Sequence, residues 1–335
     1  MARFALIVAC AIGFLVTAAA ENLLLPALRS ICFAGPARPW NGPAWQKKKN
    51  GTPTMGGIAF ILGTLAAVGA AWCGLEIMDA GLLSDNQKMN LTLALLCAFL
   101  FGAVGFFDDV LRIARRRDHG LRVWQKLVLE TLATAVFLMG LQMNGVLDTG
   151  MVLPFFGYVD FGWWYWPFSF VLILCTVTSA QLTDGVDGLC SCTAILAMLA
   201  CMVVCSILNN FQLSVFASAV AGSLLAFLLW NFYPAKVFMG STGSMFLGGA
   251  LVAAAYCMGW PGLLPLLAGV YLLEGASLAL QVLWFRLSRG KRLFRTAPLH
   301  HALAMAGWSE VRITAWLTAL EGVFVVLAML FVRIS

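Results

Sequence analysis

The sequence predicts an all-α polytopic membrane protein, one integral-membrane domain over residues 1–335 with ten transmembrane helices, both termini extracytoplasmic and its active face cytoplasmic. Three observations predict it: an apolar composition, ten apolar runs of near-spanning length, and basic residues concentrated on one side. Of the 335 residues, 61% are hydrophobic and 11% charged, with a mean hydropathy of +0.90. A soluble domain carries roughly 25% charged residues. The apolar runs cover residues 4–20, 55–73, 91–107, 127–141, 164–180, 192–208, 213–230, 245–260, 263–284 and 313–332. Several fall short of the about 20 residues a span needs, so their ends extend into the interface. Helices are the form that satisfies every backbone group inside lipid, and none of these runs alternates as a barrel strand does.

Orientation follows from lysine and arginine. The connections after runs 1, 3, 5, 7 and 9 hold 18 of the 21 basic residues, and the other face keeps Arg3, Lys88 and Arg333. The odd-numbered connections are therefore cytoplasmic. The net charge of +6 is largely this signal. Spread over short loops, it argues against nucleic acid and favours anionic membrane lipid or an anionic substrate. The ten cysteines lie mostly inside the runs and read as small buried hydrophobes. Ala18-Ala19-Ala20 mimics a signal-peptide cleavage site, but the charge alternation needs the first run retained. Between residues 144 and 163, an apolar, aromatic stretch bracketed by Gly and Pro reads as a small interfacial hairpin.

The unusual sequence lies in the cytoplasmic connections. Asp108-Asp109 ends the third run, and Asp184-Gly185-Val186-Asp187-Gly188 follows the fifth. Carboxylates at a bilayer need a partner, a cation or a chemical task. Adjacent carboxylates repel, and a divalent cation relieves that strain. For one pair, a salt-bridged helix end with Arg112 is the bland reading; the second acidic motif, with no basic residue in its connection, favours a metal-dependent site. Lys49 precedes Gly51-Thr52-Pro53-Thr54-Met55-Gly56-Gly57, a tight turn before a helix start that suits an anion. Gly240-Ser241-Thr242-Gly243-Ser244 is a second such start, with Phe238 before it either stacking on a base or anchoring at the interface. Pro298-Leu299-His300-His301 follows an arginine-rich stretch; adjacent histidines are poorly spaced for zinc and fit phosphate contact or acid–base work. Glu274, inside the ninth run, is a buried acid expected to face a partner in the bundle.

Taken together, Lys49 with its Gly-Thr-Pro-Thr-Met-Gly-Gly turn, Phe107-Asp108-Asp109, Gln125-Lys126-Leu127, Leu182-Thr183-Asp184-Gly185-Val186-Asp187-Gly188, Asn231 with Tyr233-Pro234-Ala235, Val237-Phe238-Met239-Gly240, Pro298-Leu299-His300-His301 and Gly307-Trp308-Ser309-Glu310 resemble, in order, the phospho-N-acetylmuramoyl-pentapeptide transferases. These belong to the polyprenyl-phosphate N-acetylhexosamine-1-phosphate transferases. The resemblance covers nearly the whole chain. It implies Mg²⁺-dependent transfer of phospho-MurNAc-pentapeptide from UDP-MurNAc-pentapeptide to undecaprenyl phosphate in the plasma (inner) membrane, releasing UMP, and it admits a homodimer. By the same resemblance Asp108, Asp109, Asp184 and His300 would be catalytic. Lys49, Thr52, Lys126, Asp187, Asn231, Phe238, Gln281 and His301 would bind substrate, and Asp108, Asp109 and the position of Ser241 would hold the metal.

Four departures stand in the active region. Where the family pattern has its principal metal-binding Asp, this chain has Ser241. Gln181 replaces an Asn, Ala302 the third histidine of a triplet, and Trp45-Gln46 a Ser-His pair. A serine hydroxyl is a weak neutral ligand, so Mg²⁺ affinity should drop unless the remaining aspartates compensate. A weakened or specialised relative that binds nucleotide sugar or lipid carrier therefore stands beside the active transferase. A transporter is the poorer reading, since the acids gather on one face and not at mid-bilayer on broken helices.

Overall fold

The computed structural model describes residues 2–33, 51–78, 84–115, 120–153 and 156–334. Its helices are α1 (Ala2–Phe33), α2 (Gly57–Met78), α3 (Asp85–Arg115), α4 (Val123–Met143), α5 (Tyr165–Thr183), α6 (Leu189–Ile207), α7 (Phe211–Asn231), α8 (Gly240–Cys257), the single turn α9 (Leu264–Leu267), α10 (Gly269–Leu287), α11 (Leu299–Met305) and α12 (Glu310–Ile334). Among the described residues, nine helices are long and apolar enough to cross a membrane: α1 to α7, α10 and α12. The expected span at 245–260 overlaps α8, which starts five residues earlier and ends at Cys257, and whose 18 residues are all buried.

Helix α8 is the axis. It packs against α3 and α5, while α7 joins it to α1, α2 and α6. Aliphatic side chains gain little by leaving lipid for each other, so membrane helices associate through small residues that let backbones approach. That rule is visible along α8. A Cβ on Gly105 of α3 would overlap the Ser241 carbonyl, and one on Gly57 of α2 would lie 2.6 Å from the Gly243 nitrogen. Gly249 sits 2.9 Å from the Phe101 ring by the same measure. Behind these contacts Phe60 meets Phe227 and Phe246 edge-on, with centroids 5.2 and 6.0 Å apart. The outward faces carry Leu15, Leu132, Val136 and Met139, exposed to what is lipid in the membrane.

The connection 144–163 forms the expected hairpin. Strands β1 (Gly150–Leu153) and β2 (Gly157–Asp160) pair antiparallel, Gly150 opposite Asp160 and Leu153 opposite Gly157. Gly157, at φ +72°, supplies the left-handed residue on the return. Trp163 and Trp164 beside it are exposed, as an aromatic belt requires.

Two boundaries differ from the sequence reading in ways that matter. Helix α3 continues to Arg115, so Asp108 and Asp109 stand on its last turns and not in a loop. The ninth run, 263–284, is not one helix: it breaks at Ala268 (φ −122°) between α9 and α10. The freed N-terminus of α10 is capped from another element, Glu321 of α12, whose Oε2 accepts the Val270 N–H at 2.8 Å. A carboxylate there meets the positive end of the helix dipole and an unsatisfied N–H together.

Candidate active site

Asp109 is buried completely, an expensive position for a carboxylate unless its oxygens are bonded. Oδ2 accepts the Thr242 backbone N–H and its Oγ1–H, both at 2.8 Å. Asp109 is thus the cap of α8, supplied from α3, and the cap works because Gly240 (φ +73°) brings backbone close; a Cβ there would lie 2.6 Å from Oδ2. The other oxygen, Oδ1, accepts no hydrogen bond among the described residues, and the Arg112 guanidinium stands 3.8 Å from it.

Asp108 has both oxygens engaged. Oδ1 accepts the Leu121 N–H at 2.8 Å, which folds the chain after α3 back onto the helix end; Gly120 permits this, since a Cβ there would overlap the Asp108 carbonyl. Oδ2 accepts from Ser241 Oγ at 2.8 Å and from Arg112 Nη2 at 3.2 Å. The bland reading of the pair, a salt-bridged helix end, is therefore also present: Arg112 serves both carboxylates. Ser241 in turn accepts from Gln181 Nε2 at 2.7 Å. The chain Gln181–Ser241–Asp108 links the first acidic pair to α5, whose next turn carries Asp184 as its C-terminal cap residue, half-buried. Two departures noted in the sequence, Gln181 and Ser241, are thus direct hydrogen-bond partners. Lys126, on α4, pairs with Glu130 at 3.8 Å and lies within electrostatic reach of both aspartates of the first pair.

The second acidic motif is held from three sides. Asp187 Oδ2 accepts the Ala235 N–H at 3.0 Å, its own N–H reaches Glu310 Oε2 at 3.3 Å, and its carbonyl accepts from Thr314 Oγ1 at 3.0 Å. Glu310 of the Gly-Trp-Ser-Glu segment therefore acts as a clamp at the start of α12. Asn231 spends both ends on structure: Oδ1 accepts from Ser191 Oγ at 2.8 Å and Nδ2 donates to the Val237 carbonyl at 3.1 Å, tying the connection before α8 to α6. Half-buried Phe238 donates its N–H to the Pro53 carbonyl at 2.9 Å, and its carbonyl accepts the Gly56 N–H at 2.9 Å. This ladder lays half-buried Thr52 and its turn beside Phe238. Lys49, with Trp45 and Gln46, lies outside the described residues.

The histidine segment completes the rim. His300 is buried; its N–H points to Glu274 Oε1 at 3.1 Å and its Nδ1 lies 3.1 Å from Oε2, so Glu274 has the partner its burial demanded. His300 and His301 have centroids 4.2 Å apart. Gln281, two turns beyond Glu274, accepts the Phe294 N–H at 2.8 Å and pins the arginine-rich stretch. Among the described residues, no three His, Cys, Asp or Glu side chains converge as a ready-made metal cage. Thr242 was not legible as a site residue; a hydroxyl three residues into a helix with no cap of its own was the available signal.

The family model for Glycosyl transferase family 4 matches residues 91–259, which hold both acidic motifs and α8. The model for Phospho-N-acetylmuramoyl-pentapeptide-transferase signature 1 matches residues 49–61. Similarity over nearly the full length extends to the phospho-N-acetylmuramoyl-pentapeptide-transferase of Halalkalibacterium halodurans, 36% identical and covering 92% of each chain. The chain belongs to the phospho-N-acetylmuramoyl-pentapeptide-transferase family. The enzyme of that name from Caldicellulosiruptor bescii is 35% identical over 98% of each chain. That from Clostridium kluyveri is 36% identical over 93% of this chain and 94% of its own. As a member of this transferase family, with nine long apolar helices among the described residues, the protein is a multi-pass protein of the bacterial inner membrane.

Proposed function

We propose that the protein transfers phospho-MurNAc-pentapeptide from UDP-MurNAc-pentapeptide to undecaprenyl phosphate, yielding the lipid-linked sugar and UMP. The acidic pair at the α3–α8 junction, in a full-length member of this transferase family, is the observation that carries the reading. Phosphoryl transfer asks little covalent chemistry of a protein; it asks for alignment and charge stabilisation. Asp108, with three donors fixing both oxygens, is suited to orient an incoming lipid phosphate beside Arg112. In this reading the turn 51–57, the Phe238 segment and His300–His301 form the nucleotide and sugar side, with Asp187 held by Glu310 and the Ala235 N–H.

The donor set fits Mg²⁺. That ion typically takes one or two carboxylates and completes its shell with water and substrate phosphates. Asp109 Oδ1, buried and without a hydrogen bond among the described residues, is the open oxygen, with Asp108 and the Ser241 hydroxyl as neighbours. When bound, Mg²⁺ would neutralise charge on the diphosphate and leaving group. The reading extends to ten spans, with α8 as the tenth and both termini extracytoplasmic, and it leaves room for a homodimer. It is tested by following radiolabelled MurNAc-pentapeptide into a lipid-extractable product; wild type should form it and Asp109→Asn should not.

The bond from Gln181 to Ser241 favours a second reading, a family member of reduced turnover that chiefly binds nucleotide sugar or lipid carrier. The two part on one result. Tight UDP-sugar binding by the wild type with no lipid product supports the second.

A further inference from the structure

We infer that Glu274 is a positioning residue that fixes the tautomer and aim of His300, delivering the imidazole Nε2 to the Asp184-Gly185-Val186-Asp187 turn. The inference rests on the transferase reading only for its effect on rate. Glu274 stands on α10, one turn past the helix break, and is fully buried, as is His300. Both its oxygens accept the His300 backbone N–H, at 3.1 and 3.3 Å, and Oε2 also lies 3.1 Å from Nδ1. Neither ring nitrogen has an aligned hydrogen bond among the described residues, so Oε2 acts on Nδ1 through its charge at 3.1 Å. A carboxylate is acceptor only, so its charge favours the ring proton on the nitrogen beside it and leaves the opposite nitrogen as the lone-pair bearer.

That opposite nitrogen has a defined address. A Cβ at Gly185 would overlap Nε2, so the ring edge rests on the bare backbone of the turn between Asp184 and Asp187. The turn cannot give way easily, because Asp187 is anchored to Ala235, Glu310 and Thr314. Nor can α10, whose N-terminus Glu321 caps at 2.8 Å. The imidazole is therefore gripped between a carboxylate behind and a glycine in front. An acceptor Nε2 on this turn can take a proton or a hydrogen bond from a sugar hydroxyl or a protonated phosphate oxygen, which an Nε2–H cannot.

The substitution Glu274→Gln separates this role from simple packing. The amide oxygen can still accept the His300 N–H, while the amide NH₂ turned to Nδ1 demands a lone pair there and moves the ring proton to Nε2. The chain has three histidines, so ¹⁵N-histidine NMR in nanodiscs is tractable, with His300→Asn for assignment. The expected results are a proton on Nδ1 in the wild type and on Nε2 in Glu274→Gln. The kcat of Glu274→Gln should fall by about 10²-fold, the low end of what a placed proton-transfer group contributes, with KM changed less than about threefold. Glu274→Asp should recover part of the kcat. A wild-type proton on Nε2, or the same tautomer in wild type and Glu274→Gln, overturns the proposal, as does an equal change in kcat and KM. If Glu274→Gln does not fold, the wild-type spectrum decides alone. The tautomer needs no turnover, so an inactive wild type with the proton on Nδ1 would fault the transferase reading and leave this one standing.

Discussion

Ser241 sits where three side chains converge, and the protein treats it as a relay. It donates to Asp108, accepts from Gln181, and has the Arg112 guanidinium 3.5 Å away. A carboxylate at this position would meet the Asp108 carboxylate directly, a repulsion that a divalent cation relieves and a hydroxyl avoids. Ser241→Asp should therefore bind Mg²⁺ more tightly than the wild type by about tenfold, which is about 1.4 kcal/mol. Calorimetric titration or Mn²⁺ paramagnetic resonance reads this without turnover. Unchanged or weaker binding would mean that the hydroxyl does not limit the site. The acidic residues and the histidines could be read from sequence because each is a polar group in an apolar chain, and the departure at Ser241 because the family resemblance implies a carboxylate there. Thr242 and Leu121 could not be, because what they contribute is a backbone N–H whose partner lies 133 residues away for Thr242 and across a chain reversal for Leu121.

Among the elements, α3 and α8 form the joint that builds the site, and their spacing depends on small residues. Gly105 faces the Ser241 carbonyl with no room for a methyl group, whereas Gly69 on the outer face of α2 has nothing within 4 Å. Gly105→Ala should force the helices apart and lower stability by about 1–3 kcal/mol, the scale of overpacking a filled core. Gly69→Ala should be neutral or slightly stabilising, since alanine is the better helix former. Thermal midpoints in detergent compare them; equal midpoints would remove the close joint from the account. Helix existence was legible because apolar runs of spanning length have few other fates. Helix ends were not. The apolar count stops where charge begins, yet α3 carries Asp108 and Asp109 inside its last turns because Arg112 and the α8 N-terminus neutralise them. The break at Ala268 was hidden for the same reason, since its cap, Glu321, comes from α12.

For the whole molecule, the basic residues predict a topology that brings both acidic motifs, the turn 51–57 and the histidines to one cytoplasmic face. Single cysteines at exposed Lys236 and exposed Asp148, in a background without native cysteine, should label from opposite sides of the membrane. An impermeant maleimide should reach position 148 from outside intact cells and position 236 only after permeabilisation; the reverse pattern would invert the arrangement and put the acids on the wrong side for a cytoplasmic nucleotide sugar. The central claim is that the surviving aspartates, without a carboxylate at position 241, still support metal-dependent phosphosugar transfer. The most direct measurement is UMP release from UDP-MurNAc-pentapeptide and undecaprenyl phosphate across a Mg²⁺ titration, for wild type and Asp109→Asn. The account predicts release that rises with Mg²⁺, vanishes on chelation, and falls on the order of 10²–10³-fold in Asp109→Asn, the scale of losing one preorganised charge at the reacting centre. Release indifferent to both the metal and Asp109, or no release from the wild type at any Mg²⁺ concentration, would contradict it.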